Sequence, residues 1–172
     1  MKKPYLWISL IAIIVSVNVA NKFAGVYAYH AVYVYNFIKY IDWPSDKKEG
    51  PFVIGVMGSS PIITELTDMA SKKKVGSRDI IVNKLVSPAN ISTCNIVFIP
   101  ETNTKDVETV IEMSRNKGVL VITETPGMTK KGSSINFIYV DGKLKFEINK
   151  HAATLANLNI SAELMKLGIA IN

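Results

Sequence analysis

The sequence predicts an α/β fold, a three-layer sandwich with a mainly parallel but mixed sheet, helices on both faces and a C-terminal β-hairpin. Three observations predict it. Short apolar runs alternate with amphipathic stretches of helical spacing, which is typical of parallel sheets. Residues 119–123 are almost wholly apolar, as a strand covered on both faces is. Asp141-Gly142 separates two alternating stretches and predicts the hairpin turn.

The first predicted element is a helix over residues 29–41, where apolar side chains recur at helical intervals. Trp43-Pro44 ends it, because the residue before a proline avoids the α conformation. One apolar row consists of Ala31, Val34, Ile38 and Ile41. A second, aromatic row is a candidate surface for self-association and consists of Tyr29, Tyr33, Phe37 and Tyr40. Both rows would equally suit a helix buried in the core.

The middle of the chain predicts strands and helices bounded by glycine, proline and serine. Strands are expected at residues 52–58, 79–86, 94–99 and 119–123. Helices are expected at residues 61–70, with Ser60 as N-cap, and at residues 104–117, ended by Gly118.

The last part of the chain predicts the hairpin strands and then helices. The strands are expected at residues 135–140 and 144–148, and Asn149 is expected to cap the helical stretch that follows. This stretch is expected to break near residues 157–159 and to resume from Ser161, a second N-cap, to Ile169.

The N-terminal segment has the features of a secretory signal peptide. Lys2 and Lys3 precede an apolar run over residues 6–20, which at 15 residues is shorter than the ~20 that span a bilayer. Cleavage is expected after Ala28, with Ala20 as the alternative. The segment 1–28 is therefore interpreted as a signal peptide, and residues 29–172 as a single exported α/β domain.

Composition limits the classes of function. Of 172 residues, 48% are hydrophobic and 20% are charged, which excludes a disordered chain. Removal of residues 1–28 takes away three lysines and no acid, so the net charge falls from +6 to +3 and argues against nucleic-acid binding. One cysteine and two histidines exclude a disulfide framework and leave little material for a metal site.

No catalytic set is recognisable. His30 is expected at a frayed helix start and His151 at the start of a surface helix, and neither lies in a nucleophile elbow or a zinc motif. The acids near predicted strand ends lack the spacing of a catalytic pair: Glu101, Asp106, Glu108 and Glu124. We therefore predict a protein that is not an enzyme, with no catalytic residues, metal ligands or cofactor.

Residues 55–61 are the best candidate for a ligand-binding turn, because they join a strand to a helix whose first N–H groups would face an anion. They match neither the G-x-G-x-x-G nor the P-loop pattern, and ordinary turn and cap roles also suit them. The candidate ligand residues are Gly55, Gly58, Ser59 and Ser60.

Motifs spread over residues 30–170 resemble the YfiR family of periplasmic proteins, also described as DUF4154. Tyr40-Ile41-Asp42-Trp43-Pro44 resembles the end of that family's F-x-x-Y-x-x-W-P signature. The other matches are residues 54–58 to IGVLG, 94–99 to CDILFIS, 132–137 to GGxIxF and 146–164 to FxINxxAAxxAGLxISSxLLxLA. Each motif is weak alone, and their order and spacing together are specific.

The resemblance implies a regulatory protein. The family's namesake is a periplasmic dimer that represses a membrane diguanylate cyclase by binding its periplasmic sensor domain, and its release raises cyclic di-GMP and favours biofilm. This chain is accordingly expected to form a homodimer and to bind the extracytoplasmic domain of a membrane diguanylate cyclase or sensor kinase. The candidate contacts lie in the predicted last helix and are Leu164, Leu167 and Ile169. The alternative is a periplasmic module that binds a small molecule and has no cyclase partner.

One departure from the family concerns redox sensing. The namesake uses paired cysteines, whereas this chain has only Cys94, at the start of a predicted buried strand. An intramolecular disulfide is therefore excluded, and a bridge between two copies of Cys94 conflicts with its predicted burial.

Overall fold

The computed structural model describes residues 25–171, so the charged and apolar parts of the predicted signal peptide, and Ala20, lie outside the described residues. The helices are α1 (25–40), α2 (Ile62–Lys72), α3 (Val107–Ser114), α4 (Lys150–Leu155) and α5 (Ala162–Leu167). The strands are β1 (Ile41–Asp42), β2 (Phe52–Met57), β3 (Lys74–Val75), β4 (Arg78–Leu85), β5 (Ile96–Ile99), β6 (Leu120–Thr123), β7 (Ile135–Val140), β8 (Lys143–Asn149), β9 (Asn159–Ile160) and β10 (Ile169–Ile171). Short 3-10 helices lie at Ser45–Lys47, Pro88–Thr93 and Glu101–Asp106.

The centre of the fold is a mixed sheet with the strand order β10-β8-β7-β6-β5-β2-β4-β3. The five strands from β7 to β4 in this order run parallel to one another. The β7–β8 hairpin and the short β3 add antiparallel pairs, and β1 and β9 form a separate ribbon. The predicted fold class, with its mainly parallel sheet and hairpin, is confirmed.

The sheet buries side chains on both faces, which makes the three layers. In β5, Phe98 packs in the cluster beneath α1 and α2, whereas its neighbour Val97 packs in the cluster beneath α3. From the helices, α1 adds Phe37 to the first cluster and α3 adds Val110 to the second. Full burial of such a side chain stabilises the fold by about 1.5–3 kcal/mol, so both helix layers hold the sheet.

Helix α1 follows its predicted spacing, and the row Ala31, Val34, Ile38 and Ile41 is buried. The aromatic row is divided between core and surface. Phe37 is completely buried against Phe137 and Phe146, and Tyr33 is half-buried, whereas Tyr29 and Tyr40 are exposed. Phe37 therefore holds α1 on the sheet and is not a surface contact, because α1 presents a wider apolar face than one row.

The C-terminus differs from its prediction. The last helix ends at Leu167, and Ile169 lies in β10, which pairs in parallel with β8. Gly168 lets the chain pass close to β8 here, because a Cβ at this position would lie only 2.6 Å from the Phe146 ring and 2.7 Å from Ile148. Leu164 is buried in the core, so it is not a surface contact, while Leu167 is 67% exposed and Ile169 is 39% exposed.

Two further elements are shorter than the sequence predicts. Helix α3 ends at Ser114 rather than at residue 117, since Asn116 adopts a positive φ of 55° and Gly118 one of 61°. Strand β5 begins at Ile96, two residues after Cys94. Within residues 25–171 no helix combines the length and the apolar character needed to cross a membrane.

Candidate ligand crevice at the carboxyl edge of the sheet

The carboxyl ends of β2, β5 and β6 meet at one edge of the sheet, because these strands are parallel neighbours. In open α/β sheets, ligands bind outside this edge. Glu101 follows β5 and Glu124 follows β6. The backbone N–H of Glu101 donates to Oε1 of Glu124 at 3.1 Å, so two acids far apart in sequence become neighbours.

The first turns of α1 cover this edge. The Tyr27 hydroxyl donates to the same Oε1 of Glu124 at 3.0 Å, although the two residues are 97 positions apart. Helix α1 and the segment after β5, which the sequence analysis treated separately, thus both donate to one carboxylate.

A cavity of about 380 Å³ opens beside this carboxylate, and we call it the Glu124 crevice. Its walls are largely aromatic, and they consist of Tyr27, His30, Phe137 and Tyr139 together with Val26, Glu101, Glu124 and Pro126. The volume lies at the lower end of the roughly 300–1,000 Å³ typical of ligand pockets, so it suits a small molecule.

Burial governs the protonation of the groups in the crevice. It raises the pKa of Glu124, and the hydrogen bonds from Glu101 and Tyr27 only partly oppose this. Burial and then the Glu124 charge raise the pKa of Tyr27 to about 12, and the same two causes raise the pKa of Tyr139. Tyr27 and Tyr139 therefore remain neutral hydrogen-bond donors at physiological pH.

His30 was expected at a frayed helix start but is only 2% exposed. Its Nδ1–H donates to the carbonyl of Val26 at 3.0 Å, and its ring meets Phe137 edge-on at 4.5 Å between centroids. Burial lowers the pKa of His30, which keeps the ring neutral. His30 is thus a packing residue of the crevice wall and adds no positive charge to it.

The predicted ligand turn contributes only in part. Gly58, Ser59 and Ser60 lie at the carboxyl edge, where the Ser59 hydroxyl accepts from Lys84 Nζ at 2.6 Å. Gly55 lies inside β2 instead, where a Cβ would approach Leu85 to 2.6 Å and Cys94 Sγ to 2.9 Å. Gly55 is therefore required for packing inside the sheet and is remote from the ligand edge.

Of the other candidates, His151 is exposed at the start of α4 and lines a separate basic groove of about 270 Å³ with Arg115, Lys130 and Lys131. Glu108 is exposed and lies 3.6 Å from Lys131 Nζ. Cys94 is a free, buried thiol, and burial raises its pKa.

Sequence reasoning missed a buried polar network at β6, β7 and β8. Thr123 Oγ1 donates to Asn136 Oδ1 at 2.7 Å, and Asn136 Nδ2 donates to Glu147 Oε2 at 3.3 Å. Thr129 Oγ1 donates to the same Glu147 oxygen at 2.7 Å. The sequence does contain a sign of this network, because Thr123 and Asn136 are polar residues at core-facing positions of predicted strands. Both are completely buried. The network fixes the loop between β6 and β7.

Two of the family-like motifs meet at the opposite, amino edge of the sheet. Trp43 Nε1 donates to the carbonyl of Asn95 at 3.2 Å, and its ring contacts Phe52 edge-on at 5.1 Å. The Asn95 amide accepts from Val53 N at 2.9 Å and donates to the Lys47 carbonyl at 3.0 Å. The Trp-Pro and Cys-Asn motifs thus form one hub that joins the chain after α1 to β2 and β5.

A family model for YfiR/HmsC-like proteins matches residues 27–169. The chain belongs to the YfiR/HmsC-like family. This confirms the resemblance carried by the Trp-Pro and Cys-Asn motifs of the hub. The family match begins at Tyr27, the residue that donates to Glu124. A comparison with curated proteins gives no significant match.

Proposed function

We propose that this YfiR/HmsC-like protein is a periplasmic regulator that binds the extracytoplasmic sensor domain of a membrane signalling enzyme and modulates its output. The enzyme class proposed is a diguanylate cyclase or a sensor kinase, with cyclic di-GMP and biofilm formation as the cyclase output. The family match over residues 27–169 is the observation that carries this proposal. The proposal assigns no reaction to the protein itself.

Export is part of this proposal, and the position of α1 favours cleavage after Ala20. Cleavage after Ala28 would remove the first turn of α1 and, with Tyr27, a hydrogen-bond donor to Glu124. Cleavage after Ala20 keeps α1 whole. Intact-mass measurement of the protein from the periplasm distinguishes a chain that begins at Asn21 from one that begins at Tyr29.

The proposed partner surface is the exposed apolar patch of α5 and β10, formed by Leu167 and Ile169. Exposed apolar side chains next to each other mark interaction surfaces. β10 pairs with β8 and has no second neighbour in the described sheet, so its outer edge offers backbone groups to a partner strand. The proposed contact edge, β10, thus lies at the opposite end of the strand order from β4 and β3.

The proposed dimer surface is the exposed part of α1. Tyr29 and Val32 are exposed there, and Tyr139 of β7 is exposed beside the same end of the helix. Tyr29, Tyr33 and Tyr139 also line a shallow groove of about 370 Å³ between α1 and the β7–β8 hairpin. Of the predicted aromatic row, Tyr29 and Tyr40 remain candidates for self-association.

The test is crosslinking of the tagged protein in intact cells, followed by identification of the captured membrane proteins. We expect one membrane cyclase or kinase, crosslinked through its extracytoplasmic domain. Leu167→Asp should abolish this capture without unfolding the protein, because Leu167 is 67% exposed. Val86→Asp is the matched control, since Val86 is 91% exposed and follows β4. Recovery of the protein alone would contradict the regulatory proposal. Equal capture by the Leu167→Asp and Val86→Asp variants would contradict the proposed partner surface.

The second candidate function is a small-molecule-binding module without a cyclase partner. The Glu124 crevice favours it, because a small cavity with aromatic walls and one desolvated carboxylate resembles a ligand pocket. Ligand-dependent stabilisation of the purified protein, together with no membrane partner in cells, would select this candidate.

A further inference from the structure

The Glu124 crevice combines a small volume, aromatic walls and negative charge without a matching positive charge. We propose that it binds a small organic cation, an alkyl- or arylalkylammonium ion, with its charge on Glu124 and its body against the aromatic walls. This inference deepens the second candidate function by naming the ligand class. It stands independently of any membrane partner.

The charge of the crevice selects a cation. Glu101 and Glu124 both line it, and the described lining residues include no lysine or arginine. Neither acid forms an ion pair with another residue of the described range. His30 is held neutral by burial. The two carboxylates would therefore repel an anionic ligand, whereas a cation would supply the missing counter-charge.

Glu124 has unused capacity for a hydrogen bond. Both of its donors, Tyr27 Oη and Glu101 N, bind the same oxygen, Oε1. Its Oε2 receives no hydrogen bond from a described residue and is not sealed from solvent, so a ligand in the crevice can reach it. A partly buried carboxylate attracts a cation more strongly than a fully exposed one does, so an ammonium group that donates to Oε2 would be bound favourably.

The walls suit the organic part of such a ligand. Phe137 and Tyr139 both line the crevice, and Phe137 is almost completely buried whereas Tyr139 is 58% exposed. Aromatic faces attract cations within roughly 6 Å of the ring centroid and also cover the apolar part of the ligand. Carboxylate and rings thus provide separate contacts for the charge and for the body of the ligand.

The test is calorimetric titration of the purified, exported protein with three molecules of nearly equal shape: phenethylamine, phenethyl alcohol and phenylacetate. We expect saturable binding of phenethylamine and binding at least about tenfold weaker for the alcohol, which lacks the charge. Phenylacetate should not bind. Equal affinity for the amine and the alcohol, or no binding of the amine at millimolar concentration, would overturn the proposal.

Two variants locate the site. Glu124→Gln keeps an acceptor for Tyr27 and Glu101 but removes the charge, and it should weaken phenethylamine binding by about tenfold or more. Glu163→Gln is the matched control, because Glu163 is exposed on α5, and it should bind as the unmodified protein does. Tyr139→Leu changes an exposed side chain and should weaken binding with the fold intact. Full affinity in Glu124→Gln would place the amine elsewhere and refute the site. Crosslinking in cells tests the regulatory proposal separately, so the two fail independently.

Discussion

The hub around Asn95 gives a quantitative prediction for Asn95→Ala. Asn95 is 3% exposed, and its side chain is the partner of the Val53 N–H and of the Lys47 carbonyl. The substitution leaves one partly buried donor and one partly buried acceptor without partners. Each hydrogen-bonding group left without a partner lowers the free energy of unfolding by about 1–3 kcal/mol. Because water can reach these part-buried groups, we expect a total loss of about 2–4 kcal/mol. That is a large fraction of the roughly 5–15 kcal/mol that stabilises a domain.

The assay is urea unfolding of the exported protein, followed by circular dichroism and by tryptophan fluorescence. Trp43 is a suitable reporter, because it donates to the backbone of Asn95 and the other tryptophan, Trp7, lies in the predicted signal peptide. The unfolding midpoint should fall at unchanged m-value, which would show that stability and not compactness has changed.

The control is Asn90→Ala, since Asn90 is exposed and its side chain has no hydrogen bond in the described structure. It should change the free energy of unfolding by less than about 0.5 kcal/mol. If Asn95→Ala costs no more than this control, the amide does not hold β2, β5 and the Lys47 turn together, and the reasoning is refuted.

Three further predictions follow from buried groups. Gly55→Ala should destabilise the fold by about 1–3 kcal/mol in the same urea assay, because its Cβ would overlap Leu85 and Cys94, and an unchanged midpoint would contradict this packing. Burial raises the pKa of Glu124 above its ordinary value of 4.5, so its contribution to stability is fully present below that value and declines as pH rises through the folded-state pKa. Glu124→Gln should therefore be more stable than the unmodified protein near pH 8 and lose that advantage near pH 4. The measurement is the free energy of unfolding of both proteins from about pH 4 to about pH 8. If the two free energies depend on pH in the same way, Glu124 is not desolvated. The thiol of Cys94 should react with a thiol reagent only at the rate of unfolding, because Cys94 is 1% exposed and burial raises the pKa of its thiol. Fast labelling of the native protein would contradict that burial.

Local patterns in the sequence predicted most elements of the fold. Asp141 and Gly142 adopt positive φ values of 51° and 70°, as the predicted hairpin turn requires. Asn149 and Ser161 accept from the N–H groups of Ala152 and Leu164, as predicted N-caps do. These features depend on residues within three positions of one another, so their chemistry is readable along the chain.

The remaining features depend on contacts between distant residues. Ile169 extends a helical pattern in sequence but pairs with β8, because a free sheet edge lies beside it only in the folded chain. Phe37 and Tyr29 share one helical row, yet only Phe37 meets the rings of Phe137 and Phe146. Helical spacing gives the relative orientation of side chains but not which of them will be covered.

The sequence by itself determined the α/β class, the order of most elements, the caps and turns, and the motifs that mark the family. Only the tertiary structure forms the Glu124 crevice. The hydrogen bond between Tyr27 and Glu124 spans 97 positions of the sequence, and the one between Glu101 and Glu124 spans 23. The physical reason is that parallel strands bring their carboxyl ends to one edge, and the order of strands in the sheet is set by packing on both faces and not by any local pattern.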